Sequence, residues 1–261
     1  MSNAELKLCV PEPGRSWSGP QLHSIAPCLE NFSAQERVSW ALDYLPPQAI
    51  LTSSFGIQSA VMLHLLAMQK PDIPVVLIDT GYLFAETYAF ADELCSKLAL
   101  NLRVFRPELS PAWQEARFGR LWEQGMDGIQ LYNQLNKVEP MARALEVLQA
   151  GTWFSGLRRI QSHSRDEIKI IQAHGNIVKV HPLADWTDRD IHAYLTAHDL
   201  PYHPLRNKGY ISIGDHHTSL PLSAVENDDQ TRFFGLVREC GLHQPERYKQ
   251  VDKGISSKIR V

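Results

Sequence analysis

Short apolar runs recur through this chain at intervals that each leave room for a helix. Ala49-Ile50-Leu51-Thr52-Ser53, Pro74-Val75-Val76-Leu77-Ile78-Asp79, Leu102-Arg103-Val104-Phe105, Thr152-Trp153-Phe154-Ser155-Gly156 and Ile177-Val178-Lys179-Val180 read as strands. A strand that is apolar on both faces must be covered on both, and an intervening helix makes successive strands parallel. The pattern predicts an α/β fold: a single domain with a mostly parallel, Rossmann-like sheet flanked by helices.

Several helix limits are legible. Ser33 and Glu36 form a capping box that opens a helix to about Leu45, where Pro46-Pro47 stops it. Further helices read from Gln58 to Gln69, from Glu86 to Leu98, across about 110–150, and from the cap Thr187-Asp188-Arg189-Asp190 to near His198. Residues 1–30 hold Pro, Gly and Ser without a period and read as a loosely ordered arm. Beyond about Asn207 the pattern dissolves into Gly, Ser, His and Asp, as in a lid or a tail.

The net charge of −3 argues against a general polyanion binder, so nucleic acid is not an expected partner, and an anionic ligand must be met by a local cluster of Arg and Lys. No apolar run approaches the length of a membrane span. The first residues lack a basic segment followed by an apolar one, which points away from export and towards the cytoplasm. Cys9, Cys28, Cys95 and Cys240 lie far apart, which argues against a zinc ribbon, a four-cysteine iron–sulfur site or an internal redox dithiol. If Cys240 does redox work, its partner thiol must come from another protein.

Ligands of open parallel sheets bind beyond the carboxyl ends of the strands, so the loops there matter most. Ser53-Ser54-Phe55-Gly56-Ile57-Gln58-Ser59 leads from a strand into a helix N-terminus, an arrangement that presents N–H groups and a positive dipole end to an anion. The absence of a Gly-Lys-Ser/Thr sequence separates it from a P-loop. In Asp79-Thr80-Gly81-Tyr82, glycine lets a flat ring approach the backbone. Ser155-Gly156-Leu157-Arg158-Arg159-Ile160-Gln161-Ser162, with Arg165 beyond, brings planar guanidinium forks to a strand end, suited to phosphate or sulfate. Each loop also reads as an ordinary turn when taken alone. Together with Arg238-Glu239-Cys240-Gly241-Leu242-His243 they describe a site for an anionic nucleotide approached by a thiol. Arg238 and a protonated His243 favour the thiolate of Cys240 and Glu239 opposes it.

As a set these motifs resemble the phosphoadenylyl-sulfate (PAPS) reductase family, thioredoxin-dependent enzymes of sulfate assimilation and cysteine biosynthesis. The matching elements are the Ser53–Ser59 loop, Ile78-Asp79-Thr80-Gly81-Tyr82, Lys137-Val138-Glu139-Pro140, Gly156-Leu157-Arg158-Arg159, Ser212-Ile213-Gly214-Asp215, Thr231-Arg232-Phe233-Phe234 and Glu239-Cys240-Gly241-Leu242-His243. They run from about Ser33 to His243, most of the chain; family patterns often end there, whereas residues 244–261 continue here.

The resemblance implies an adenine nucleotide alpha hydrolase-like fold in three parts: an arm over 1–30, a nucleotide-binding domain over 31–224 and a mobile catalytic tail over 225–261. Cys240 attacks the sulfonyl sulfur of 3′-phosphoadenylyl sulfate, adenosine 3′,5′-bisphosphate departs, and thioredoxin or glutaredoxin releases sulfite from the S-sulfonated cysteine. Lys137, Arg158 and Arg159 ring the sulfonate and phosphates, and Arg232 and Arg238 arrive with the tail. Ser53, Ser54, Phe55, Gly56, Gln58 and Ser59 hold the phosphate and sulfate end, with Thr80 and Gly156 in the same strand-end loops. Leu77, Asp79 and Gly81 line the adenosine pocket, and His243 tunes the thiol or docks thioredoxin. A homodimer is also implied.

Bacterial adenylyl-sulfate (APS) reductases of the family hold a four-iron cluster on two cysteine pairs, which would fall here at Tyr132, Asn133, Asp215 and Thr218. None is cysteine, so no cluster is expected. His216-His217, with His203 and His181, fits no metal spacing, so no metal is expected. Three alternatives stand beside this reading. One is a cluster-free APS reductase and another a non-catalytic nucleotide sensor. The third, an ATP-splitting adenylyl transferase, is disfavoured by the lack of an acidic residue in Ser54–Gln58.

Overall fold

The computed structural model describes Trp17 and residues 19–236. The first helix, α1 (Gly19–Leu29), buries Leu22, Ala26 and Leu29, spaced so that one face meets the core. Residues 19–29 are therefore not part of a loose arm. Pro27 inside the helix disguised the period in the sequence. α2 (Ala34–Tyr44) starts at the expected Ser33–Glu36 capping box. Its buried Arg37 donates to the carbonyls of Leu29 and Glu30, closing the end of α1, and forms a bidentate pair with Asp185 at 2.5 and 2.8 Å. Cys28 is disulfide-bonded, a pairing that the wide spacing of cysteines gave no reason to expect.

The chain then alternates: β1 (Ala49–Thr52), α3 (Ala60–Ala67), β2 (Pro74–Ile78), α4 (Ala85–Leu98) and β3 (Asn101–Phe105). α5 (Pro111–Phe118), α6 (Gly125–Asn133), a π-turn over Gln134–Val138 and α7 (Glu139–Val147) lead to β4 (Thr152–Ser155). β5 (Ile171–His174), β6 (Ile177–Val180) and α8 (Asp188–Ala197) complete the regular elements. The sheet order is β3-β2-β1-β4-β6-β5. All neighbours are parallel except β5, which runs antiparallel to β6. β5 was missed in the sequence because it is a mixed edge strand, Ile-Gln-Ala-His. Its tight turn, Gly175-Asn176 with Gly175 at φ 61°, is the local signal that could have found it.

Alternate residues of each strand serve opposite layers. Leu51, Val75, Leu77, Phe154 and Val180 pack into the larger cluster with side chains of α2, α3, α4 and α8. Ile50, Val76 and Trp153 face the other way, against Met141, Ala144 and Leu145 of α7. Truncating one of these, such as Leu51, to alanine costs about 2–5 kcal/mol. β1 feeds β2 on one side and lies beside β4 on the other, so the strand order reverses at β1/β4. A crevice forms at such a switch point.

The irregular stretch after α8 is neither loose nor a separate tail as far as it is described. Leu205, Thr218, Thr231 and Phe233 in short 3₁₀ turns, with Ile213 and Asp215 between those turns, take buried positions. β-bridges join Leu83 to Asp215 and Ser219 to Arg232. Residues 225–236, expected to belong to the tail, are thereby tied to the body. Among the described residues no helix is long and apolar enough to cross a membrane.

Candidate active site

A cavity of about 730 Å³ opens where Thr52, Ile78 and Ser155 end their strands, roofed by residues from the 204–232 stretch. That volume suits a nucleotide-sized ligand. Five cationic side chains, Lys137, Arg158, Arg165, Arg206 and Arg232, line it against three acidic ones, Asp188, Asp215 and Asp228.

The Ser53–Ser59 loop supplies one wall. Ser53 N–H donates to Val76 O, and Ser53 Oγ accepts from Phe55 N–H at 3.1 Å. Phe55, not Gly56, takes the left-handed conformation, at φ 48°, and its ring is fully buried. Phe55 therefore pegs the loop from beneath, and the cavity-lining positions are Ser53, Ser54, Gly56, Ile57, Gln58 and Ser59. Ser59 stands at the N-terminus of α3, yet its hydroxyl caps nothing and has no partner. A buried hydroxyl left unpaired costs about 1–3 kcal/mol, and an anionic oxygen at this helix end would satisfy it.

At the end of β2 the expected residues sort by parity. Val76, Ile78 and Thr80 face the cavity, whereas Leu77 lies in the core and Asp79 points away. Asp79 accepts from Gly81 N–H at 2.9 Å, Tyr88 OH at 2.6 Å and Arg106 Nε at 2.8 Å. Burial pushes its carboxyl up, but the hydrogen bonds from Tyr88 and Arg106 hold it below the usual range. Gly81 sits at φ 77°, where a Cβ would come within 2.5 Å of Pro111. Asp79 and Gly81 thus shape the loop, and with Leu77 they do not line the cavity as expected.

The two arginines after β4 also part company. Arg158 is buried and reaches the cavity, donating to Trp186 O at 3.1 Å, Asp188 Oδ1 at 2.8 Å and Gln58 Oε1. Arg159 turns outward to Glu30 and to Ile168 O at 2.8 Å, away from the cavity. Arg158 is extended, at φ −130° and ψ 147°, whereas Arg159 opens a 3₁₀ turn, so the two side chains leave the chain in different directions. Gly156 lines the wall close to Met62.

Lys137 enters from the π-turn, buried, with its ammonium 2.7 Å from Asp215 and over the Phe233 and Tyr132 rings at 4.8 and 5.4 Å. Asp215 also accepts from Thr80 Oγ1 at 2.5 Å. Burial opposes its ionisation, but the Lys137 charge and these contacts hold its pKa down at about 2. Burial, with the Asp215 charge adding, pushes the Tyr132 phenol well up. Tyr132, Asn133, Asp215 and Thr218, the four positions where cluster-bearing relatives are expected to carry cysteine, are all buried. Arg232 already belongs to the cavity wall, with Nη1 3.4 Å from Ser212 Oγ, rather than arriving with a tail.

Three of the four histidines that invited a metal reading are engaged with separate partners, and His216 lies edge-on to His217 at 5.2 Å. His181 Nδ1 meets Ser155 Oγ at 2.7 Å, His203 meets Thr87 at 3.1 Å, and His217 lies 3.7 Å from the Trp122 ring. Burial drives His181 down to about 3 and His203 and His217 to about 4. Arg238, Cys240 and His243 lie outside the described residues. Among the described residues Cys95 is a free cysteine, and burial pushes its thiol up.

Sequence reasoning missed Asp188, read only as part of a helix cap, and Arg206, whose guanidinium stacks 3.4 Å over Tyr202 at the cavity. It quoted Asp215 within a motif but gave it no task. The His-Pro-Leu-Arg run after Tyr202 was the available hint for Arg206.

The family profile described as "Phosphoadenosine phosphosulfate reductase domain" matches residues 48–221. A "Phosphoadenosine 5'-phosphosulfate reductase" of Alkalilimnicola ehrlichii is 60% identical over 223 residues, 85% of this chain and 91% of the relative. One of Shewanella oneidensis, bearing the same name, is 54% identical over 93% of this chain and 99% of its own. Among solved structures, a phosphoadenylyl-sulfate (PAPS) reductase from Candida auris in phosphate complex aligns with a TM-score of 0.69 and 29% identity, covering 79% of this chain and 99% of that one. An FMN adenylyltransferase of Candida glabrata, at TM-score 0.56 and 17% identity over 86% of this chain and 75% of its own, shares the fold alone.

Proposed function

The chain belongs to the phosphoadenosine phosphosulfate reductase family, and from that premise we infer that it reduces 3′-phosphoadenylyl sulfate to sulfite and adenosine 3′,5′-bisphosphate, in assimilatory sulfate reduction. The observation that carries the reading to this chain's own residues is the cavity at the β1/β4 switch, where a helix N-terminus, Lys137, Arg158 and Arg232 converge. Cations in its walls and the unpartnered Ser59 hydroxyl support the binding of a sulfonated nucleotide there.

In the proposed course, the α3 N-terminus and Ser59 Oγ bind an anionic oxygen of the nucleotide. Lys137, Arg158 and Arg232 offset the charge that accumulates when one anion attacks another. The Cys240 thiolate attacks the sulfonate sulfur, a sulfur–sulfur bond forms, and the bisphosphate leaves with the bridging oxygen. A thiolate of thioredoxin, or of glutaredoxin, then attacks Cys240 Sγ and expels sulfite, giving a mixed disulfide. The donor's second thiol resolves it, so the donor supplies both electrons and Cys240 is returned as thiolate. Arg238 and His243, adjoining Cys240 in sequence, assist the thiol. No iron–sulfur cluster takes part: the cluster positions hold Tyr132, Asn133, Asp215 and Thr218, which offer no thiolate. The proposed reduced dithiol donor supports the cytoplasm as the setting of the reaction. The homodimer is carried over from the family resemblance.

Sulfite release, measured with 3′-phosphoadenylyl sulfate and with adenylyl sulfate, each with thioredoxin or glutaredoxin, tests the reading. The phosphorylated nucleotide with a dithiol donor should turn over, and Cys240→Ser should bind nucleotide but release no sulfite. Mass spectrometry of enzyme mixed with substrate alone should find S-sulfonated Cys240. Normal turnover by the serine variant would remove Cys240 from the mechanism, and bound nucleotide without turnover in the native chain would favour a sensor.

A further inference from the structure

We propose that Asp215 is the positioning residue for Lys137: its carboxylate holds the lysine ammonium at the cavity wall, aimed at the oxygens of the reacting sulfonate. The inference rests on the function proposed above and gives a task to a residue that reading leaves without one. A lysine head is a compact charge on a flexible stem, and bringing it out of water without a partner is costly. Asp215 is its ion-pair partner among the described residues, at 2.7 Å, and both side chains are buried.

The carboxylate is itself immobilised. Thr80 donates to its other oxygen at 2.5 Å, the β-bridge to Leu83 and the bond from His216 N–H to Tyr82 O at 2.8 Å fix its backbone, and Thr218 N–H donates to its carbonyl at 3.1 Å. Beyond Asp215, the ammonium meets the aromatic faces of Phe233 and Tyr132, which attract a cation but accept no strong hydrogen bond. An ammonium has three N–H donors, so those not spent on Asp215 remain for a ligand in the cavity that Lys137 lines. The pair links positions 78 residues apart, which only the folded chain can bring together.

The test compares Asp215→Asn, Lys137→Met and the double variant in steady-state sulfite release, with calorimetric affinity for adenosine 3′,5′-bisphosphate as a second readout. Each single variant should lose about a hundredfold in kcat. Bisphosphate affinity should stay within about threefold, and the double variant should be no slower than Lys137→Met. A merely structural Asp215 would lower affinity in step with kcat, and its loss would multiply with that of Lys137. If the Asn variant does not fold, Asp215→Glu, which keeps the charge but displaces it by a methylene, must show the same loss of kcat with affinity spared. A kcat within threefold of native for a folded Asn or Met variant, or multiplying losses, overturns the proposal. An inactive native enzyme sinks the functional reading instead.

Discussion

Arg158 and Lys137 both line the cavity and both have a carboxylate partner, but the two carboxylates live in different media. Asp188 is 72% exposed, whereas Asp215 is 1% exposed. Arg158 is also held by Trp186 O and Gln58, so water and two further partners could replace Asp188. Lys137 has no such reserve among the described residues. The contrast teaches that a charge at a ligand site can be held redundantly at the rim or by one unreplaceable contact at the floor. Only the second couples the site directly to the stability of the fold.

The largest expected effect is therefore on Lys137. Lys137→Met leaves Asp215 buried and unpaired and should cost about 3–5 kcal/mol in denaturant unfolding, whereas Arg158→Met leaves Asp188 in water and should cost far less. Equal costs would erase the distinction. Acid comes next. The Asp215 pKa, about 2 when folded, lies below its ordinary 3.8, so the stability it contributes is complete above pH 4 and is lost as the pH falls towards 2. That limb is worth on the order of 2 kcal/mol and should be missing from an Asp215→Asn unfolding series against pH. Asp188→Asn should change stability by less than about 1 kcal/mol, as exposed pairs do, and leave nucleotide affinity within a few-fold in calorimetry. Smallest of all, Arg159→Ala removes the outward pair with Glu30, so sulfite release should match the native rate with stability within about 1 kcal/mol. A large loss of turnover there would return Arg159 to the site.

The comparison also shows which parts of this molecule could be read from residues. The five strands, the Ser33 and Thr187 caps and the loop from Ser53 to Ser59 rest on local physics, and they stand where expected. What failed was parity. Leu77 and Asp79 were assigned to the cavity, but the side that β2 presents to it begins with Val76 and continues through Ile78 and Thr80. Arg159 parted from Arg158 for another reason, because it opens a 3₁₀ turn where Arg158 is extended. The period of a strand is visible in sequence, whereas its phase relative to a cavity depends on what packs on the opposite face. α1 was hidden by Pro27, and β5 by its polar edge residues. The role of Asp215 was out of reach for a different reason: its significance lies in a neighbour distant along the chain, and no local pattern announces that.

The sheet has a consequence for how this protein comes into being. β5 and β6 are joined by two residues, so that hairpin can close within microseconds of leaving the unfolded chain. β1 and β4 pair Leu51 with Phe154, and the cavity draws on residues from Leu51 to Arg232, so its walls exist only when nearly everything else does. A nucleotide can therefore recognise finished molecules alone. At a hundred times its dissociation constant it would deepen the native basin by about 2.7 kcal/mol, while giving no help to a nascent chain still lacking its last sixty residues.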